Sequence, residues 1–396
     1  MSEISTRRPA LDGLRGLAAL VVVFGHCLVI SPSLSGEFGT GINSNPRSWA
    51  WWATFTPFHL VWAGSEAVFV FFVLSGLVLA LPAASGRRMR WRSYYPERLL
   101  RLYAPALAAI GFALCLFSLV RQFAPGISTP GFRYDVSSAP HREILRTALL
   151  VLPPSRLDPP LWSLKWEVIF SLLLPVFILL LVKVRGLLWS RVVVLMLLIA
   201  VSGPSGHNYF LYLPIFGLGV VMAQQHQQLD RSGAYLDLLP AGVRLGVAAG
   251  TCLLLTCRWW LPPVPGFLFS VGIASLLATI LGACLAVWLF ASSNQGTRLG
   301  THVVVSWLGK RSFSLYLVHQ TIITSVDAFL GQTTNAVLVL ILSVPMSLLM
   351  AEVFGRLVEG PSHRLAKRFG RMMNLTLAKR LFIFKRVCRP LVITPP

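Results

Sequence analysis

The sequence predicts an all-α protein, a polytopic membrane helical bundle of about ten transmembrane helices with both termini in the cytoplasm. Three observations predict it. Apolar residues make up 55% of the 396 and charged residues only 12%, with a mean hydropathy of +0.69, a balance suited to lipid rather than water. The apolar residues fall into ten stretches near the roughly 20 residues that a helix needs to cross a bilayer. The Lys and Arg behind the net charge of +21 cluster in alternate connections and after the last stretch. In a soluble chain that charge would suggest nucleic acid. Here membrane topology accounts for it, and no nucleic-acid partner is expected.

The expected spans are residues 14–31, 57–82, 103–121, 162–182, 187–202, 208–224, 241–260, 266–291, 312–330 and 335–358. Positive charge sits in "SGRRMRWRSYYPERLLR", "KVR", "QQHQQLDR" and "GKR", whereas "SGPSGHN" and "GQTTN" carry no Lys or Arg. Because cytoplasmic loops hold the excess of Lys and Arg, this alternation sets the orientation. The segment from Arg121 to Pro160 falls outside on this count despite several Arg, and its Pro and Ser predict an extracytoplasmic loop. Residues 1–361 are expected to form the transmembrane domain and residues 362–396 a basic cytoplasmic tail. That tail carries nine Lys or Arg and no acid, interleaved with Leu, Phe, Met and Ile, and predicts an amphipathic helix on the anionic inner leaflet. The six Cys form no C-x-x-C pair, so neither a disulfide framework nor a metal site is expected. Arg7 and Arg8 precede the first apolar run, but no A-x-A-like cleavage site follows Cys27. The run is expected to stay as the mature first helix.

Ionisable residues inside these spans are costly and therefore mark candidate functional positions. In "LDGLRGLAALVVVFGHC" His26 stands eleven positions after Arg15, which places both on nearly one helix face, roughly 16 Å apart along the axis. A snorkelling cation explains Arg15 alone, and an interhelical hydrogen bond explains His26 alone. "GSEAVFVFFVLSGLVLA" places Glu66 at the entrance of the second span and Ser75 within it. "PLWSLKWEVIFSLLLP" places Ser163 and Glu167 four apart on one face; an ion pair of Glu167 with Lys165 or an Arg of another helix is the bland alternative. In "WLGKRSFSLYLVHQT", Ser312, Tyr316 and either His319 or Gln320 share a face, and a satisfied interhelical network would equally explain them. Glu352 and Arg356, four apart with the acid first, read as a structural pair. Arg98 and Arg101 lie three apart where water meets lipid, and two such guanidinium forks suit phosphate groups.

These residues carry a resemblance to the acyltransferase 3 family of integral membrane acyltransferases. It rests on Arg15, ten residues and His26; on "EAVFVFFVLSGLVLA"; on "RWRSYYPERLLRLYAP" with Arg98 and Arg101; on "LWSLKWEVIFSLLLP"; and on "WLGKRSFSLYLVHQ" and "EGP" near the end. The blocks span nearly the whole chain in the family's order. The resemblance implies a donor acyl-CoA, most simply acetyl-CoA, approached from the cytoplasm, and an acceptor hydroxyl on a glycan or glycolipid of the cell envelope, with the protein in the bacterial cytoplasmic membrane. An acceptor such as a macrolide antibiotic is the second expectation. No SGNH-type esterase domain is expected after the last span. His26 is expected to be the base or the acyl carrier, with Glu167 fixing the imidazole or binding acceptor hydroxyls. Arg15, Arg98 and Arg101 would hold the donor, and Ser75, Ser163, Tyr316 and His319 would line the substrate path. His59 is a further candidate contact. The family's Tyr is missing where Phe170 and Ser171 stand, so no Tyr role carries over there. A secondary transporter would share the buried charges, but the chain shows no pair of Gly/Pro-broken segments in matching halves.

Overall fold

The computed structural model describes residues 8–40, 46–123, 141–150, 158–184, 186, 188–205, 208–261, 268–331 and 335–387, and all regular structure among them is helical. In chain order the helices are α1 (Pro9–Leu28), α2 (Pro32–Thr40), α3 (Trp49–Thr54), α4 (Gly64–Ala84), α5 (Trp91–Phe123), α6 (His141–Leu149), α7 (Trp162–Ile178) and α8 (Leu188–Ser205). They continue as α9 (Asn208–Gln224), α10 (His226–Leu238), α11 (Ala241–Trp260), α12 (Leu268–Ser292), α13 (Asn294–Thr301), α14 (Val303–Phe329), α15 (Ala336–Phe354) and α16 (Gly360–Val387).

Among the described residues, 7 helical stretches are long and apolar enough to cross a membrane: α1, α4, α5, Pro159–Lys183, α11, Gly272–Ser292 and Ala336–Met373. Three expected spans fall elsewhere. Two coincide with α8 and α9, which are apolar but shorter, and the third lies in α14, which carries Lys310, Arg311 and Asp327. Several boundaries move because hydropathy registers neither the geometry of an apolar turn nor a helical turn that is polar. The second expected span starts late: Pro57–Trp62 form a 3-10 turn, with the Thr56 hydroxyl accepting from the Phe58 N–H at 3.3 Å, before α4 begins. The third starts early, at Trp91, which puts Arg98 and Arg101 inside α5 rather than in a loop. Most of the segment expected between Arg121 and Pro160 lies outside the described residues, as does the end of the tail. The first half of α16 packs on α5, where Ala366 is fully buried.

Two close helix crossings position the site. α4 and α9 meet at Gly76 and Gly219, where an added Cβ would stand 2.0 Å from the carbonyl oxygens of Phe216 and Val73 respectively. Only backbones without side chains approach so closely, the usual solution where lipid cannot drive helices together. Phe72, Phe170 and Phe216 stack beside that crossing, with ring centroids 4.5 and 4.4 Å apart. α1 lies along α14 in the same way: a Cβ on Gly16 would meet the Gly309 nitrogen at 2.4 Å. Ten residues further along both helices, His26 meets His319. The two helices therefore run parallel and in register, so every level of α1 has a fixed partner level on α14.

Candidate active site

That register sets up a polar axis. At the N-terminal level of α1 and α14, Asp12, Arg15, Gly309 and Lys310 line a cavity of about 320 Å³, joined by Arg98 and Arg101 of α5 and by Glu359 and His363 of the α15–α16 junction. Four cations thus face three carboxylates, those of Asp12, Glu167 and Glu359. Arg98 pairs directly with Glu167 through Nη2, and its Nε donates to the Ser171 hydroxyl at 3.3 Å. The Ser75 hydroxyl donates to the same Glu167 oxygen at 3.3 Å. Glu359 enters because the helix makes a π turn over Gly355–Glu359, a distortion often found at functional sites. Its carboxylate accepts from the Ser314 hydroxyl at 2.5 Å, and His363 Nε2 stands 3.9 Å away.

About two helical turns further along α14, at roughly 10 Å, the cavity becomes neutral. Its inner lining includes Ser163, Tyr316, Phe71 and Phe72. The Tyr316 hydroxyl donates to the Pro160 carbonyl at 2.8 Å, the Ser163 hydroxyl reaches the same carbonyl at 3.3 Å, and the two hydroxyls lie 2.7 Å apart, where either can donate. Just before the 3-10 turn Pro159–Leu161 lies Asp158, 1% exposed, whose two carboxyl oxygens have no hydrogen-bond partner among the described residues. Burial pushes its pKa up to about 8, since a carboxylate removed from water without a counter-charge favours its protonated form.

Beyond this end lies the histidine pair, which does not line the cavity. The Tyr316 ring stands between, 6.0 Å from Phe71 and 5.7 Å from His319. His26 Nδ1 lies 2.9 Å from His319 Nε2, and the ring planes are inclined by only 19° with centroids 5.0 Å apart. That is an edge-to-edge hydrogen bond. His319 is completely buried, and its Nδ1 faces the Leu315 and Tyr316 carbonyls at 3.1 and 2.8 Å.

Of the residues singled out by sequence, Arg15, Ser75, Arg98, Arg101, Ser163, Glu167 and Tyr316 come together around one cavity. His26 and His319 meet each other behind it. Glu167 is held by Arg98 and Ser75, and the ring partner of His26 is His319. Lys165 instead lies over the Trp166 ring. His59 packs between Trp62 and Trp259, with centroids 4.6 and 4.3 Å away, and the Trp259 indole donates to Glu66 at 2.8 Å. Glu352 takes Arg311 at 2.6 Å, Arg356 at 2.5 Å and the Trp307 indole at 3.1 Å, a wider network than the expected pair. Sequence reasoning gave no role to Asp12, Lys310, Glu359 or His363. Asp12 stands three residues before Arg15, and Glu359 opens the "EGP" block, but only the fold aims them inward.

The structure thus shows apolar helices around a polar cavity, with paired arginines at one end and a histidine pair past the other. The chain belongs to the acyltransferase 3 family, whose acyltransferase domain model matches residues 8–353, and it is an O-acyltransferase. The acyltransferase MdmB of Streptomyces mycarofaciens is 26% identical to it over 403 residues, a match covering 91% of this chain and 93% of that protein. No solved structure matches the chain.

Proposed function

We propose that the protein moves an acyl group, most simply acetyl, from acyl-CoA to a hydroxyl of a carbohydrate or glycolipid of the cell envelope. It would do so as a multi-pass protein of the bacterial cytoplasmic membrane with both termini in the cytoplasm. The observation that carries this reading is the polarity gradient of the cavity, from Arg15, Arg98, Arg101 and Lys310 at one end to Ser163 and Tyr316 at the other. In the proposed orientation the cationic end faces the cytoplasm, where acyl-CoA is made.

The residues fit such a donor. Arg98 and Arg101 present planar forks to phosphate oxygens, and Arg15 and Lys310 add charge on the facing helices. Glu167 keeps Arg98 in place through its ion pair. Bound there, acyl-CoA would supply a thioester whose acyl carbon takes the acceptor oxygen as the C–S bond breaks. His26 removes the proton of the attacking hydroxyl and gives that proton to the departing CoA thiolate, which returns the imidazole to its neutral form. Phe71 and Tyr316 stand between the cavity and the histidines, so the acyl end must pass these two rings, and the acceptor reaches His26 from the opposite side.

The test uses purified protein in lipid nanodiscs with radiolabelled acetyl-CoA and a crude extract of envelope glycans and lipids. Label is expected to move to an extract component with the wild type and not with His26→Ala. Equal transfer by the two, with the variant folded and the donor bound, would remove His26 from the chemistry. Label found on a soluble small molecule, and not on envelope material, would overturn the glycan or glycolipid acceptor.

A further inference from the structure

We infer that His319 is a positioning residue that fixes the tautomer of His26, so that His26 Nε2, not Nδ1, is the atom that carries the reactive lone pair. The inference rests on the proposed role of His26 and goes on to say which atom acts and what aims it.

Hydrogen-bond valence assigns the protons of the pair. His319 Nδ1 faces two backbone carbonyls, of Leu315 at 3.1 Å and Tyr316 at 2.8 Å. Carbonyl oxygens only accept, so Nδ1 carries the hydrogen. A neutral imidazole has one N–H, which leaves His319 Nε2 as an acceptor. Its partner at 2.9 Å is His26 Nδ1, which must therefore be the donor. His26 Nδ1–H leaves its lone pair on Nε2; the Gln320 side chain, whose amide also reaches the Thr324 hydroxyl at 3.2 Å, is the ring's other hydrogen-bonding neighbour. The reverse order would need a doubly protonated His319, and that position is 0% exposed. Among the described residues no carboxylate pairs with it, and a bare cation at that depth is costly.

The backbone thus sets the chemistry of a side chain two hydrogen bonds away. Leu315 and Tyr316 lie four and three residues before His319 on α14, so the ring folds back over its own preceding turn. The parallel register of α1 and α14, held by Gly16 against Gly309, then brings His26 to it. In other enzymes a carboxylate commonly orients the base imidazole. Here the neighbouring imidazole does so without adding a charge to the bilayer interior. Glu167 does not occupy that position, because Arg98 and Ser75 engage its carboxylate.

The experiment is nitrogen NMR on protein labelled with ¹⁵N-histidine in nanodiscs, with His26 assigned by its loss in His26→Ala. Wild type is expected to show His26 with a pyrrole-type Nδ1 and a pyridine-type Nε2. His319→Ala should lose that preference, and His319→Gln should keep it, because the Gln carbonyl can accept from Nδ1 where the imidazole nitrogen did. In transfer assays His319→Ala is expected to lower kcat by about 100-fold, the scale of a misdirected general base, with acetyl-CoA KM unchanged and activity partly restored in His319→Gln. An Nε2–H tautomer in wild-type His26, or a His26 spectrum unchanged in His319→Ala, would overturn the inference. Because the spectra need no acceptor, they separate this outcome from a failure of the proposed reaction, which would show as the expected tautomer without transfer in any variant.

Discussion

The two ends of the polar axis solve the same problem in opposite ways. At the N-terminal level of α1 and α14, ionisable side chains are balanced by one another: Arg98 by Glu167, and Arg15 at 4.0 Å from Asp12. Ten residues along, fully buried His319 and partly buried His26 are satisfied by each other, by backbone carbonyls and by the Gln320 side chain. The first end can exchange its internal counter-charges for the charges of a ligand. The second cannot take a charge without disturbing every partner. The difference teaches that two parallel helices can carry an electrostatic level and a neutral one, and the proposed function gives recognition to the first and proton transfer to the second.

The largest expected effect comes from the neutral level. His26→Ala should reduce transfer by at least about 100-fold, the low end of what a positioned base contributes, while acetyl-CoA affinity stays within about twofold. Measuring donor binding and turnover on one preparation checks the division, and a variant that loses donor affinity as much as turnover would merge the two levels. At the other end, Arg98→Ala combined with Arg101→Ala should weaken acetyl-CoA binding by about 10- to 100-fold, since each removed charge-assisted contact is worth about 1.5–3 kcal/mol and the total is shared with Lys310 and Arg15. The wild-type affinity should fall with added salt, and the variant's should fall less. Unchanged affinity would leave the arginines to lipid contact.

Part of this arrangement is legible in the sequence, for a physical reason. Helical periodicity fixes which residues of one helix share a face, so the order of residues alone groups Arg15 with His26, Ser163 with Glu167, and Ser312 with Tyr316. Hydropathy finds apolar windows, so the bundle class is legible too. Neither signal says which faces meet. The contact of His26 with His319 depends on Gly16 against Gly309, and a glycine in an apolar run looks the same whether it touches a neighbouring backbone or nothing: Gly111 and Gly246 have open space where a Cβ would sit. Glu359 is invisible for another reason, because a π turn shifts the helical phase and the 100° rule no longer says where it points. The polar first turns of α5, and the turn of α14 that carries Lys310 and Arg311, escape hydropathy because they are helical without being apolar.

The smallest expected effect concerns a group that resembles the neutral end from outside the spans. Asp158 is buried beside the Tyr316 level, its carboxyl oxygens lack partners among the described residues, and its pKa is pushed up to about 8. In the unfolded chain an Asp titrates near 4. Between about pH 4 and pH 8 the folded protein therefore holds a proton that the unfolded chain has released, so stability is full below that window and falls as pH rises through it. The slope is at most about 1.4 kcal/mol per pH unit. Asp158→Asn keeps the shape and removes the titration. Its thermal midpoint in nanodiscs should sit near that of wild type at pH 5 and move above it, by a few degrees, as the pH approaches 8. Two midpoint curves that stay parallel from pH 5 to 8 would mean that Asp158 is ionised in the folded protein. A charge would then be tolerated next to Tyr316, and the neutrality of that end of the axis would no longer separate it from the arginine end.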